Sequence, residues 1–432
     1  MITFTVARKN PLRGTIEVPG DKSISHRAIM LASIAEGKSY IYGALESEDV
    51  IATICAMRAM GVTITYKTPN CFEISGVGIN GLQAPHSHLD MGNSGTAMRL
   101  LCGILIGQKF ECELTGDQSL RNRPMNRVTT PLGKMGGEIE TSLDGCAPII
   151  IKPATQINGI KYDLPVASAQ VKSAILLAAM HGTTKTILYE PIQTRDHTER
   201  MLKVFNYPIE FDHRSIQISP KGMLKPTRLK VPGDFSSAAF FIVGACIVDN
   251  SLLNILNVGV NPTRTGLLQI LGMMGAQIEV GNLRSVNGEP IADLTIRSSK
   301  LHGIDIPPDL VAKTIDEFPI LAIAAATAVG KTSITGAEEL RFKESDRIAT
   351  VVKGLREVGI VVTELPDGMI IQGGEFTGGS VDSQGDHRIA MAFTVAGTTS
   401  TPPIEVNDCN NISTSFPNFI NTCQELDIEL NL

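Results

Sequence analysis

The chain has 432 residues, 43% hydrophobic and 19% charged, with a formal net charge of -6; this composition excludes a disordered or collagen-like protein and sets an expectation of two or three globular domains. The acidic balance argues against a general nucleic-acid surface, so an anionic partner must be caught by local clusters of cations. No apolar run reaches membrane-spanning length, and the opening MITFTVARKN lacks the apolar stretch of a secretory leader, which makes a cytoplasmic chain with no membrane partner the expectation.

In chain order, an apolar strand at Ile16–Val18 ends in a Pro-Gly turn, and a helix follows directly in VPGDKSISHR, Val18 to Arg27. Asp21 or Ser23 can cap that helix, Ser23 and Arg27 share one face, and Ile24, Ala28, Leu31 and Ala35 form an apolar stripe on another. A partial copy, VPGDFSSAAF, begins at Val231. It places Phe235, Ser236 and an apolar run where the first copy has Lys22, Ser23 and Arg27, so the first corner reads as functional and the second as structural.

Comparable strand-to-helix corners recur at LDMGNSGT (89), LPVASAQ (164), IPPDL with IDEFP (306 to 319) and DSQGDHR (382), so that six intervals of roughly seventy residues fill the chain. After each corner comes a helix rich in Ala, Ser, Leu and Met, such as AILLAAM at 174–180, then a turn, a strand, a second helix and a further turn and strand, as in GMMGAQIEV at 272–280. The expected unit is therefore βαβαββ-like within an α/β fold. Such a unit cannot bury its sheet face alone and must stack on neighbours. An open solenoid of six units fits this pattern. The spacing of 213 residues between the VPGD copies favours two globes of three units each. On that reading residues 1–17 and 231–432 form one globe, residues 18–230 form the other, and the chain crosses near 18–22 and 230–234, with the corners of both halves facing one cleft.

Two nucleotide-like motifs fail on context. GVGING, Gly76 to Gly81, is followed by the loop-like QAPHSHLD instead of the helix N-terminus that a pyrophosphate needs. AVGKTS, Ala328 to Ser333, leaves a helix and enters a strand, the reverse of a phosphate loop, and has Ala325 where that loop needs Gly. His86 and His88 stand in a Pro-containing loop without a third ligand, so no metal site is expected. Eight cysteines without a CxxC pair read as free, mostly buried thiols.

The chemistry concentrates at the corners. Gly92 to Thr96 can bring backbone N–H groups to an anion at a helix N-terminus, and GDQSLRNRPM adds Arg121 and Arg123. Ser168, Ala169 and Gln170 open a third helix, where a cap is the simpler reading, and TRDHTER carries Arg195 and His197. In IDEFP, the residue before Pro319 avoids helical angles, so Asp316 should project from the corner. RFKESDR supplies Lys343, Glu344 and Arg347, and GDHR supplies His387 and Arg388. A surface pair of Glu344 with Arg347 would contribute only about 0.3 kcal/mol, a weak reason to gather three charges. Six cations, Lys22, Arg27, Arg123, Lys343, Arg347 and Arg388, all lie at or near corners. They match two phosphates, each about -1.5 to -2, plus two carboxylates, which points to two small phosphorylated carboxylic acids as substrates.

VPGDKSISHRA, GNSGTAMRLL, DQSLRNRPM, SAQVKSAILLA, DEFPILAIAAA, FKESDRI and GDHRIAM together resemble the 5-enolpyruvylshikimate-3-phosphate synthase family of enolpyruvyl transferases, over the whole chain and in every unit except the fourth. The resemblance implies two globes, each an inside-out arrangement of three similar units with helices within and sheets without. It implies transfer of the enolpyruvyl group of phosphoenolpyruvate to the 5-hydroxyl of shikimate 3-phosphate, a step of the shikimate pathway of aromatic amino acid and chorismate biosynthesis, with no metal or organic cofactor. By motif, Lys22, Ser23, Arg27, Ser168, Ala169, Gln170, Asp316 and Lys343 would hold shikimate 3-phosphate, and Lys22, Gly95, Arg123, Gln170, Arg347 and Arg388 would hold phosphoenolpyruvate. The catalytic set would be Asp316, accepting the hydroxyl proton, Glu344, protonating the methylene, and Lys22. Gly95 matches the residue whose methylated version excludes the inhibitor glyphosate in tolerant members, so glyphosate is an expected inhibitor, and a monomer is expected. One departure stands out: Thr414, in TSFP, occupies a place where better-known bacterial members have Lys. The alternative is the UDP-N-acetylglucosamine enolpyruvyl transferase family, whose loop cysteine is Gln118 here.

Overall fold

The computed structural model describes residues 2–7, 10–220 and 222–431. They divide into two compact units: the first comprises Met1–Pro19, Pro232–Ser285 and Pro290–Leu432, the second Gly20–Val231 with Val286–Glu289.

Each unit is built around three helices. In the second unit these are α1 (Lys22–Ser33), α2 (Gly95–Leu105) and α3 (Ala169–Ala179). In the first they are α4 (Phe235–Ile247), α5 (Phe318–Thr327) and α6 (His387–Gly397). One helix follows each corner found in the sequence. The apolar stripe expected for α1 understates its burial, because every residue from Ile24 to Ser33 is buried. A helix surrounded by neighbours needs no polar face, and α4, α5 and α6 are likewise buried almost throughout. Small residues let these helices touch at the backbone: a Cβ on Gly103 of α2 would lie 2.2 Å from the Ala174 carbonyl oxygen of α3.

Three sheets belong to each unit. The strands entering the two VPGD corners are informative. Arg13–Glu17 runs parallel to Leu252–Gly259 inside the first unit, and Arg228–Lys230 runs parallel to Glu36–Tyr42 inside the second. Each entering strand therefore stays in one unit while the helix after its corner belongs to the other. The sixth sheet recruits the chain ends: Phe4–Val6 pairs antiparallel with both Ile404–Asn407 and Leu430–Asn431.

The fifth repeat departs from the expected unit. Its sheet has three strands, and the strand expected before IDEFP is reduced to the single parallel bridges His302–Val329 and Asp305–Ser333. Pro307 and Pro308 lack the N–H groups a ladder needs, and Pro308 instead opens the short helix Pro308–Thr314. A second feature has no counterpart in the sequence reading. The Asn287-Gly288 turn, with both residues at positive φ, joins strands Gln277–Val286 and Glu289–Arg297. This tip belongs to the second unit, where Glu289 Oε1 lies 2.7 Å from His197 Nδ1 and the Gly288 carbonyl accepts from Arg200 at 2.7 Å.

Neither nucleotide-like motif meets a helix in the required order: Val77 ends a strand before a turn and loop, and Lys331–Ile334 is a strand following α5. His86 and His88 are exposed, and no group of three metal-ligating side chains occurs among the described residues. All eight cysteines are free; Cys55 is exposed and Cys146 half-buried, while the other six are buried as expected.

Candidate active site

In the second unit, the cap of α1 is Asp21, whose carboxylate accepts from the Ile24 N–H at 2.8 Å. Ser23 stands in the first turn, half-buried. Lys22 Nζ pairs with Asp49 Oδ2 at 3.0 Å, with both side chains largely buried. Arg27 is buried and fully engaged. It is 4% exposed and donates to Thr198 Oγ1 at 2.7 Å, the Ser23 carbonyl at 2.9 Å and Ser173 Oγ at 2.8 Å, a set that fixes its planar fork.

Ser94 caps α2, which begins at Gly95. A Cβ on Gly95 would lie 3.1 Å from Arg99 Nη1 and 3.3 Å from Arg123 Nη1, so two guanidinium groups converge on a helix N-terminus stripped of side chain. Arg123 donates to Asn93 Oδ1 at 2.6 Å. Ser168 caps α3 through the Val171 N–H at 3.4 Å, with Ala169 next to it at the helix start. Gln170 bridges the two helix starts, donating to Thr96 Oγ1 at 3.0 Å and accepting from Arg99 at 2.7 Å.

In the first unit, α5 opens at Phe318 with Pro319 behind it, and Asp316 lies just outside the helix. Arg347, 1% exposed, is the hub. Its Nε is 2.8 Å from Asp386 Oδ2, its Nη2 is 2.6 Å from Glu344 Oε2, and its Nη1 is 3.7 Å from Asp316 Oδ1. The Glu344–Arg347 pair is thus no surface pair. Arg347 Nη1 is buried and makes no hydrogen bond. Burial works against the Arg347 charge, but Asp386 and Glu344 more than compensate and raise its pKa. Arg388, at the start of α6, donates to the Asp316 carbonyl at 3.1 Å, while Asp386 caps that helix through the Arg388 N–H. His387 stands at the first position of α6, buried. Lys343 is half-buried and has no hydrogen bond or ion pair among the described residues. Burial lowers its pKa, with Asp316 acting in the opposite direction. Formally, Asp316, Glu339, Glu344 and Asp386 face Lys343, Arg347 and Arg388.

Each unit thus gathers its own share of the sequence candidates at or near helix N-termini, those of α1, α2 and α3 in the second unit and those of α5, α6 and the helix Arg347–Glu357 in the first, where an anion gains from the helix dipole. A profile of the family described as EPSP synthase (3-phosphoshikimate 1-carboxyvinyltransferase) matches residues 6–423. The chain belongs to this family. A 3-phosphoshikimate 1-carboxyvinyltransferase of Methylococcus capsulatus is 52% identical over 429 residues, covering 99% of this chain and 98% of that protein. The enzyme of the same name in Coxiella burnetii is 52% identical, covering 97% and 96%. Among solved structures, EPSP synthase from Acinetobacter baumannii superposes with a TM-score of 0.88 at 48% identity over all of both chains. The enolpyruvyl transferase NikO from Streptomyces tendae, at 15% identity and a TM-score of 0.80 over 99% and 98%, shares the fold.

Within this EPSP synthase family member, several side chains escaped the sequence reading. Asp49, Arg99 and Asp386 hold Lys22, Gln170 and Arg347 respectively, and none of them carries a local signal beyond lying near a helix start. His26 is another. It is fully buried, with Nδ1 2.7 Å from Thr53 Oγ1 and Nε2 3.5 Å from Ser94 Oγ, and so links α1 to the cap of α2. Burial, then the charges of Lys22 and Arg27, hold its pKa well below that of a free histidine, so it is neutral at pH 7. At the departure from the bacterial pattern, Thr414 is 7% exposed and donates its hydroxyl to the Asn411 carbonyl at 2.7 Å.

Proposed function

We propose that this chain transfers the enolpyruvyl group of phosphoenolpyruvate to the 5-hydroxyl of shikimate 3-phosphate, releasing phosphate through a tetrahedral intermediate. The observation that carries the reading is 52% identity over essentially the whole length of enzymes bearing that activity's name. In the second unit, Lys22, Ser23, Arg27, Ser168, Ala169 and Gln170 are assigned to shikimate 3-phosphate, and Lys22, Gly95, Arg123 and Gln170 to phosphoenolpyruvate. In the first unit, Asp316 and Lys343 are assigned to shikimate 3-phosphate, and Arg347 and Arg388 to phosphoenolpyruvate. The unsatisfied Arg347 Nη1 suits a carboxylate or phosphate oxygen, and the unpaired Lys343 suits an anion.

The hydroxyl must lose a proton as it attacks C2, and C3 must gain one. Asp316, fixed at its carbonyl by Arg388, is assigned as the acceptor. Glu344 is assigned as the donor, and charge supports it. The carboxylates Asp316, Glu339, Glu344 and Asp386 already match or exceed the cations Lys343, Arg347 and Arg388 before substrate brings further negative charge, which raises carboxylate pKa values. Glu344, at 21% exposed, is the least buried of the three paired with Arg347 and the one that takes a proton from solvent most readily. Glu344→Gln should therefore lose turnover and incorporation of solvent deuterium into the methylene; normal values for both would remove Glu344 from the role.

The activity is tested by phosphate release from phosphoenolpyruvate with shikimate 3-phosphate, with UDP-N-acetylglucosamine, and with neither. Release only with shikimate 3-phosphate is expected, and release only with the UDP-sugar would overturn the reading. Glyphosate is proposed to compete with phosphoenolpyruvate near Gly95, and indifference at millimolar glyphosate would refute that. A cytoplasmic monomer is proposed; among the described residues no helix is long and apolar enough to cross a membrane.

A further inference from the structure

The second VPGD corner carries none of the proposed substrate contacts, yet it holds a dense buried ionic cluster in the first unit. Asp234 caps α4 through the Ser236 N–H at 2.9 Å. Arg264, 4% exposed, reaches Asp234 Oδ1 at 3.3 Å, donates to Ser236 Oγ at 2.6 Å, and lies 3.9 Å from Glu317 Oε1. Ser236 in turn donates to Glu317 Oε1. Glu317 is 1% exposed and is the residue after Asp316.

The loop that presents Arg264 is rigid. Asn261 Oδ1 accepts from the Thr263 N–H at 3.0 Å and from its hydroxyl at 2.8 Å, and the Asn261 carbonyl accepts from the Arg264 N–H at 2.8 Å. Two residues beyond Arg264, Gly266 packs where a Cβ would stand 2.2 Å from Thr314 Oγ1 and 2.9 Å from Lys313 Cβ. Thr314 is fully buried and lies two residues before Asp316. The short segment Arg264–Gly266 therefore grips the chain on both sides of Asp316, by close backbone packing at Thr314 and by a charge-assisted cluster at Glu317. Arg388 holds the Asp316 carbonyl from α6.

We infer that Arg264–Gly266, with Asp234 and Ser236 of the second VPGD corner, is the positioning device for the Asp316 carboxylate. Burying two carboxylates around one arginine is costly in desolvation and is a poor route to stability, whereas the hydrogen bonds that run from Arg264 to Ser236 and from Ser236 to Glu317 fix geometry. A displacement of about 1 Å at a reacting group costs on the order of 100-fold in rate, so a grip on both neighbours of a proton acceptor has a kinetic consequence. The inference rests on the proposed role of Asp316.

The test uses the full-length enzyme with Glu317→Gln and Arg264→Lys, which keep shape or charge, and Gly266→Ala, which pushes on Thr314. The expected result for each is a kcat lowered about tenfold or more, KM values for both substrates within about threefold, and a folded protein by thermal melting. Glu317→Gln is nearly isosteric, so it remains informative if Gly266→Ala does not fold. Unchanged kcat in folded Glu317→Gln and Arg264→Lys would overturn the positioning role, as would a loss confined to thermal stability. Asp316→Asn serves as the separate control. If it turns over normally, the assignment of Asp316 as proton acceptor is what has failed; if it is inactive while the other variants are unaffected, the positioning inference alone has failed.

Discussion

Replacing Lys172 by Met should be among the most damaging single substitutions outside the substrate-contacting residues. Lys172 lies in α3 with its side chain 0% exposed, 3.0 Å from Glu190 Oε2 and 2.7 Å from Glu199 Oε1, whose own side chains are 3% and 1% exposed. Burial works against the lysine charge, but Glu199 and Glu190 more than compensate and raise its pKa; burial raises the pKa of Glu199 despite Lys172. Met fills similar volume, so the loss is electrostatic: two carboxylates are left without their cation. Breaking a buried pair by removing one partner costs roughly 3–5 kcal/mol, against a total of about 5–15 kcal/mol for a domain. For a unit of about 200 residues, each kcal/mol shifts the melting temperature by about 2–4 °C, so a fall of roughly 10 °C is expected. Calorimetry and urea unfolding, each resolving the transition containing the second unit, would measure it. The double variant Lys172→Met with Glu199→Leu should recover part of the loss, because it removes one of the two stranded carboxylates while Glu190 keeps its hydrogen bonds from Thr194. A single variant within about 1 kcal/mol of the parent, or a double variant no more stable than the single, would refute the reasoning.

Acid should destabilise the fold through its buried histidines. His181 is half-buried, but both of its ring nitrogens are buried without a hydrogen bond, and burial lowers its pKa to about 4. The unfolded chain takes up this proton near pH 6.5 and the folded chain does not, so stability is lost as pH falls from about 6.5 to 4, by roughly 3 kcal/mol. His26 adds a loss of the same sign. Urea midpoints across this range should fall less steeply in His181→Met; an unchanged slope would contradict the assignment. Gly95→Ala should fold normally but raise the KM for phosphoenolpyruvate about tenfold, the equivalent of roughly 1.4 kcal/mol, because the methyl group crowds Arg99 and Arg123. An unaltered KM would place the anion elsewhere. Lys22→Ala should abolish turnover with the melting temperature nearly retained, and surviving activity would show that the first VPGD corner does not bind substrate.

The sequence by itself determined the repeat, the six corners and the residue types they carry. A Pro-Gly or Gly-rich turn ahead of a capped, small-residue helix is a local pattern, and its cap and turn signals survive folding at Asp21, Ser94, Ser168 and Asp386. It also pointed to the family, through seven motifs spread over the chain, and the family profile matches residues 6–423. Tertiary structure alone decided which partners those residues meet. Nothing local links Lys22 with Asp49, Gln170 with Arg99, or Arg347 with Asp386, since each pair comes from different elements brought together by packing. The same holds for burial: α1 reads as amphipathic in one dimension and is interior in three, because neighbouring helices cover the face that the pattern leaves open. The second VPGD corner shows the difference most directly. Its residues look merely structural in sequence, and only packing brings Ser236 and Arg264 onto Glu317, the residue beside Asp316.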